Sequence, residues 1–149
     1  MTRRGDRLRQ IRSVRMTDEP ISLEPATNRS TTLLSNLLEL YVHDLSEIFP
    51  VEIGADGRFG YDRLPLYWSA PDTHFAFVIR IADRPAGFVL VTRGSVASDD
   101  PGVLDVAEFF ILRSHRREGL GSRAAFLLWN RLPAQWIVRV SDAHTAGQL

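Results

Sequence analysis

The feature that most constrains the fold is a strand that leads through a basic, glycine-containing loop into a helix. Residues 104–112 are almost all apolar, β-branched or aromatic, which predicts a buried strand. Residues 119–132 place Ala and Leu at helical spacing, and Pro133 ends that pattern. The sequence therefore predicts a strand, a loop and a helix as one continuous unit.

The remaining periodicities place further elements on both sides of this unit. Apolar residues recur at helical spacing from Leu33 to Ile48, and Thr31 or Thr32 is the expected N-cap. The other predictions are a short strand at 21–23, a loop with one short helix at 50–70, a hairpin at 75–93 that turns at 83–85, and a last strand at 136–140. The order β-α-β-β-β-α-β predicts an α+β domain with one central mixed sheet.

The composition excludes several kinds of chemistry. The chain has 149 residues, enough for one domain, and has no cysteine, so disulfides, thiolate metal sites and a cysteine nucleophile are excluded. All basic residues are arginine, which excludes a lysine Schiff base and a P-loop lysine. The apolar runs are too short to cross a bilayer and no signal peptide is visible, so we expect a cytoplasmic protein without a membrane partner.

The amino terminus carries most of the charge asymmetry. Six arginines precede Met16, opposed only by Asp6. We expect residues 1–19 to be a disordered basic extension and residues 20–149 to form a single domain. A nucleic-acid-binding arm is the alternative interpretation, and it is the less favoured one.

The loop after strand 104–112 has the character of an anion site. Gly119 and Gly121 let backbone N–H groups approach a ligand at a helix N-terminus, where unpaired donors favour an anion. Arg116 and Arg117 add charge suited to phosphate, so a diphosphate fits. A solvated turn is the plain alternative. Residues 119–124 also fit the dinucleotide fingerprint G-x-G-x-x-A, although six residues separate Leu112 from Gly119.

Residues 108–121, EFFILRSHRREGLG, resemble the acetyl-CoA motif of the GNAT superfamily of N-acetyltransferases. The motif core, Arg/Gln-x-x-Gly-x-Gly/Ala, is matched by Arg116, Gly119 and Gly121. A bacterial branch of acetyltransferases in that superfamily is similar also at 41–47 (YVHDLSE), 57–61 (GRFGY), 67–68 (YW) and 87–91 (GFVLV). The resemblance covers about residues 21–141 and implies a mixed, mostly antiparallel sheet flanked by helices.

The same resemblance implies a function and a set of binding residues. The chain would transfer acetyl from acetyl-CoA, its co-substrate, to a primary amine of a small molecule or peptide. Backbone groups of Phe109, Phe110 and Ile111 would bind the pantetheine arm where the strand splays from its neighbour. The pyrophosphate would be held by the loop residues Arg117, Glu118, Gly119, Leu120, Gly121 and Ser122, with the Arg116 side chain shaping the loop.

Glu108 is the candidate general base. An alkylammonium has a pKa of about 10, so transfer needs a group that removes its proton. Strand parity places Glu108 on one face with Val106, Phe110 and Leu112, and apolar neighbours should raise its pKa. The alternative is a carboxylate that holds a backbone amide or an arginine.

Several aromatic and polar side chains are further candidates. Tyr61, Tyr67 and Trp68 are expected to contact the acceptor, or else to anchor a loop on the core. His115 is expected to be exposed. His43 and Glu47 have metal-binding spacing but no third ligand, so no metal site is predicted.

The resembled family usually continues beyond the last strand predicted here. That region adds a helix and two strands, and commonly supplies a tyrosine that protonates the leaving thiolate; this sequence has no tyrosine after Tyr67. The resemblance therefore implies a shortened domain, a partner subunit that completes the sheet in a homodimer, or a thiolate that leaves without an acid. An inactive acetyl-CoA-binding module is the alternative function.

Overall fold

The computed structural model describes residues 19–139 and forms one sheet with helices on both faces. Five strands follow each other in space in chain order: β1 Ile21–Pro25, β2 His74–Ile81, β3 Arg84–Arg93, β4 Leu104–Ile111 and β5 Trp136–Ile137. The strands β1 to β4 are antiparallel, and β5 is parallel to β4. The helices are α1 Thr31–Leu45, α2 Leu66–Ser69 and α3 Leu120–Arg131.

Two apolar cores lie on opposite faces of the sheet. Alternation along β2 points Phe77 and Ile79 towards the face covered by α3, where Leu120, Ala124 and Leu128 complete a core. Val78, on the opposite face, joins a core with Phe88 of β3 and Phe110 of β4 and with residues of α1 and the segment after it, including Leu34, Leu38 and Leu64. This arrangement confirms the predicted α+β class with a mixed, mostly antiparallel sheet.

Most of the predicted elements are present with shifted boundaries. Strand β3 begins at Arg84 rather than at residue 87, because the turn lies at Ala82 and Asp83, both with positive φ. The predicted caps of α1 are wrong: a 3-10 turn, Asn28–Ser30, precedes the helix, and Thr27 caps that turn instead. Strand β5 ends at Ile137, and residue 140 lies outside the described part of the chain.

A β-bulge in β4 changes the side-chain parity that the sequence predicts. Leu90 pairs with Glu108 and Val91 pairs with Val106, which leaves Ala107 as the extra residue. Val106 therefore packs against the core under α3, whereas Phe110 and Leu112 belong to the core under α1. The prediction that Val106 shares a face with Glu108 is wrong for this reason.

Two further predictions concern the basic extension and the dinucleotide-binding fingerprint. The basic extension at residues 1–19 lies outside the described residues except for Glu19. In residues 19–139 four strands are antiparallel, whereas a doubly wound dinucleotide-binding domain has a parallel sheet. None of the helices in this range is long and apolar enough to span a membrane.

Candidate acetyl-CoA and acceptor site

The loop from β4 to α3 presents an uncapped helix N-terminus. Gly119 is the N-cap residue of α3, with φ 71° and no side-chain cap. The first helical bond runs from the N–H of Arg123 to the carbonyl of Gly119, at 3.1 Å. The N–H groups of residues 120–122 therefore precede the helical ladder and suit an anion. Arg117, with φ 70°, turns the loop just before this point, and its side chain is exposed.

Arg116 holds this loop against the rest of the fold. Its Nε donates to the carbonyl of Ile111 at 2.9 Å, and its Nη2 donates to Oδ2 of Asp44 at 2.7 Å. Arg113 donates to the other oxygen of Asp44, also at 2.7 Å. Asp44, near the end of α1, thus binds the first residue of the short 3-10 turn Arg113–His115 and the residue that follows this turn. Asp44 lies far from both arginines in the sequence, so no local sequence pattern predicts these contacts.

Replacing Asp44 with Asn should destabilise the protein and make its unfolding free energy depend less on pH in the acidic range. Burial acts to raise the pKa of Asp44, but the bonds from Arg116 and Arg113 outweigh it, so this pKa lies below its ordinary value. A lowered pKa means that the stabilisation is present above the ordinary value and is lost as pH falls through the folded one. We expect Asp44→Asn to lose about 2 kcal/mol of unfolding free energy at pH 7. The exposed Arg113 contributes little to this figure, because solvent screens its charge.

Urea unfolding from pH 7 down to about pH 2 measures both effects. Asp72→Asn is the matched control, because Asp72 is exposed. An Asp44→Asn protein with wild-type stability throughout this range would contradict the role given to this carboxylate.

The outer edge of β4 is open beyond its first residues. Within residues 19–139, β5 pairs with β4 only at Leu104 and Asp105. The N–H of Leu112 donates to Ala86 in β3, so backbone alternation points the polar groups of residues 109 and 111 away from β3. The backbone of Phe110 faces β3 instead. Two of the three residues predicted for pantetheine binding therefore present their backbone at the open edge.

Glu108 lies on the opposite side of the bulge from Val106, under the loop that follows α1. The hydroxyl of Tyr61 lies 3.4 Å from its Oε1, and Tyr41 is also hydrogen-bonded to it. Burial raises the pKa of Glu108, and the hydrogen bonds from the two tyrosines act in the opposite direction. Burial and the Glu108 charge raise the pKa of Tyr67 to about 12. The hydroxyls therefore stay protonated as donors, while burial makes the Glu108 carboxyl group hold its proton to a higher pH than an exposed glutamate would.

A cleft of about 440 Å³ opens beside Glu108. Residues 106–108 of β4 line it together with Tyr61 and Arg63 from the loop, Tyr67 from α2, and His74, Thr92 and Arg139. Tyr61 and Tyr67 therefore line the same cleft as Glu108. Trp68 does not line this cleft: its ring packs on the α1 core, and its buried Nε1 has no hydrogen-bond partner in the described chain. The structure brings together two of the three predicted aromatics.

Glu39 on α1 positions the loop that carries Tyr61. Its two carboxylate oxygens accept the N–H groups of Phe59 and Gly60, each at 2.9 Å, and one of them pairs with Arg58 at 3.2 Å. Burial acts to raise the pKa of Glu39, but these backbone hydrogen bonds and Arg58 lower it overall. Glu39 was not predicted as a site residue, since only its position on the exposed side of a helix is visible in the sequence.

His115 is buried, with 7% of its surface exposed, so the expectation that it would be exposed is wrong. The 3-10 turn Arg113–His115, in which the N–H of His115 donates to Leu112 at 2.9 Å, folds the ring inwards. Its Nδ1 has no hydrogen-bond partner among residues 19–139.

No protein-family model and no curated protein sequence matches the chain. Solved structures do share its fold. An acetyltransferase from Thermus thermophilus is 18% identical with a TM-score of 0.58, over 79% of this chain and 74% of that chain. A protein from Bacteroides thetaiotaomicron assigned to the GNAT family of acetyltransferases is 20% identical with a TM-score of 0.56, over 84% of this chain and 63% of that chain.

A third similar structure was determined with coenzyme A bound. The aminoglycoside acetyltransferase AAC(6')-Ib is 15% identical with a TM-score of 0.61, over 85% of this chain and 78% of that chain. At such identities the likeness concerns the fold. The chain therefore has the fold of the GNAT acetyltransferases, which confirms the fold implied by the resemblance of residues 108–121.

Proposed function

We propose that this protein is an N-acetyltransferase that moves the acetyl group of acetyl-CoA to a primary amine of a small molecule or peptide. The observation that carries the proposal is the position of Glu108. This half-buried carboxyl group lines a cleft, and the next residue, Phe109, presents its backbone at the open edge of β4. A base is thereby next to the strand edge on which the resemblance implies that the pantetheine arm lies.

The residues present fit acetyl-CoA at two points. The backbone groups of Phe109 and the N–H of Ile111 suit the amides of a pantetheine arm, which need partners along a strand edge. The carbonyl of Ile111 already accepts a hydrogen bond from Arg116. The uncapped N-terminus of α3, with Gly119 in the left-handed region, suits a pyrophosphate. The exposed Arg117 adds positive charge, whereas Arg116 is already engaged by Asp44 and Ile111. Direct contact with phosphate is therefore proposed for the backbone rather than for Arg116.

Bound acetyl-CoA supplies an activated thioester, and the protein supplies the proton acceptor and the placement of the amine. The ammonium form of the acceptor gives its proton to Glu108, and the freed lone pair forms the new C–N bond as the C–S bond breaks. Coenzyme A leaves as the thiolate, which takes up the second proton that the amine nitrogen loses as the amide forms, and Glu108 returns its proton to solvent. The hydroxyl of Tyr61 donates to Glu108 and so orients its carboxyl group towards the cleft.

Replacing Gly119 with Val should weaken acetyl-CoA binding by roughly tenfold or more. A side chain at this position meets open space in the protein, so it would occupy the volume in front of the helix N-terminus where the pyrophosphate is proposed to lie. Calorimetry with acetyl-CoA measures the loss. No binding by the wild-type protein at millimolar acetyl-CoA would refute the proposal.

Gly94→Val is the matched control for this substitution. Gly94 has φ 81° and equally open surroundings, so Val causes similar backbone strain there, but away from α3. We expect both variants to lose similar stability and only Gly119→Val to lose affinity. Equal affinity of the two variants would contradict the proposed pyrophosphate position.

A further inference from the structure

The cleft beside Glu108 contains more positive than negative charge. Arg63 and Arg139 line it, and Glu108 is the one carboxylate among the described residues that does so. An amine on its own would enter such a cleft against the guanidinium group of Arg63, which repels an ammonium ion, whereas the charge of Arg139 is offset by Asp105. The lining therefore does not match an acceptor whose only charge is its amine.

The two arginines differ in how their charges are compensated. Arg139 pairs with Oδ2 of Asp105 at 3.0 Å, and that buried carboxylate also accepts a hydrogen bond from Ser95 at 2.7 Å. Arg63 is exposed, and it forms no ion pair or hydrogen bond with any other residue of the range 19–139. The nearby Glu108 is instead hydrogen-bonded by Tyr61 and Tyr41. Arg63 is thus the cation of the cleft that is held by no ion pair within residues 19–139; its charge acts on Glu108 only through space, where it lowers the pKa of that carboxyl group.

We infer that the acceptor carries an anionic group, a carboxylate or a phosphate, close to its amine, and that Arg63 binds this group while Glu108 receives the amine. The planar guanidinium fork matches either anion with two parallel hydrogen bonds. The inference rests on the proposed acetyl transfer and names its substrate class. These substrates are amino acids, acidic peptides or phosphorylated amines, rather than amines that carry no anionic group.

Matched pairs of amines test this inference by binding, without need of turnover. The pairs are β-alanine with β-alaninamide, O-phosphoethanolamine with ethanolamine, and an acidic dipeptide with its glutamine counterpart. Calorimetry at low salt measures each amine on the protein loaded with coenzyme A. We expect the anionic member of at least one pair to bind about tenfold more tightly, and the pair with the largest ratio distinguishes carboxylate from phosphate.

Arg63→Gln should reduce that preference to about twofold or less, while Arg63→Lys, which keeps the charge but loses the fork, should retain part of it. Arg29→Gln is the matched control, because Arg29 is exposed and does not line the cleft. A wild-type protein that binds no amine, or binds both members of every pair equally, overturns the inference. So does an Arg63→Gln protein with the full preference.

The two proposals fail in different ways. Preferential binding of anionic amines without any acetylated product would refute only the acetyl transfer. Turnover of neutral and anionic amines with equal affinity and efficiency would refute only the role of Arg63.

Discussion

Replacing Glu108 with Gln is expected to lower kcat by about 10²- to 10⁴-fold, the usual contribution of a general base, without changing the affinity for acetyl-CoA. Gln keeps the size of the side chain and an oxygen that can accept the hydrogen bond from Tyr61, but it cannot accept a proton. Steady-state release of coenzyme A measures kcat, and calorimetry measures the affinity. Glu52→Gln, at an exposed position, is the control for loss of one carboxylate.

The pH dependence of the same variant separates catalysis from structure. Because burial raises the pKa of Glu108, the wild-type kcat/KM should fall as pH decreases through a value above the ordinary one for Glu. This acidic limb should be absent in Glu108→Gln. A raised pKa also means that the ionised group costs stability above its ordinary pKa, so the Gln variant should be at least as stable as the wild type at pH 7. A variant with full turnover and an unchanged pH profile would exclude Glu108 as the base.

Replacing Gly87 with Ala is expected to cost about 3 kcal/mol of unfolding free energy, at the upper end of the range for overpacking, and to weaken acetyl-CoA binding as well. A Cβ at this position would lie 2.0 Å from the carbonyl oxygen of Phe110 in β4. The clash is with backbone rather than with a flexible side chain, so β4 must move away from β3. That movement displaces residues 109–111, the strand edge proposed to hold the pantetheine arm.

Gly102→Ala is the control for this second substitution. Its Cβ would meet only the carboxylate of Asp100, at 3.3 Å, and that side chain can move. Chemical denaturation of the two variants and acetyl-CoA calorimetry measure both effects. A Gly87→Ala protein with the stability and affinity of Gly102→Ala would show that the spacing of β3 and β4 does not control this edge.

The elements that the sequence predicts correctly are those with a local cause. The helical spacing of leucines in α1 and α3, and the apolar runs of β2 to β4, reflect burial against one sheet, so each pattern is visible within its own segment. The bulge at Ala107 has no such signal, because it arises from the pairing of β4 with β3. The parity argument for Val106 therefore failed, although Glu108 itself does lie beside the cleft.

The residues of the candidate site likewise differ in whether a local sequence pattern identifies them. Gly119 and the basic loop are recognisable because strand, loop and helix are contiguous in the chain. The contacts of Asp44 with Arg116 and of Glu39 with Gly60 connect residues distant in sequence, and they depend on how α1 crosses the sheet. The charge of Arg63 is likewise visible in the sequence, but its place in the cleft becomes evident only after the loop has been folded over β4.

The most direct test of the central claim is to measure coenzyme A release and the acetylated amine together, by thiol titration and mass spectrometry, across a panel of neutral and anionic primary amines. We expect one N-acetylated product per thiol released for at least one amine, with both signals lost in Glu108→Gln. Tight binding of acetyl-CoA with no acetylated amine anywhere in the panel would contradict it, and would favour an acetyl-CoA-binding module without transferase activity.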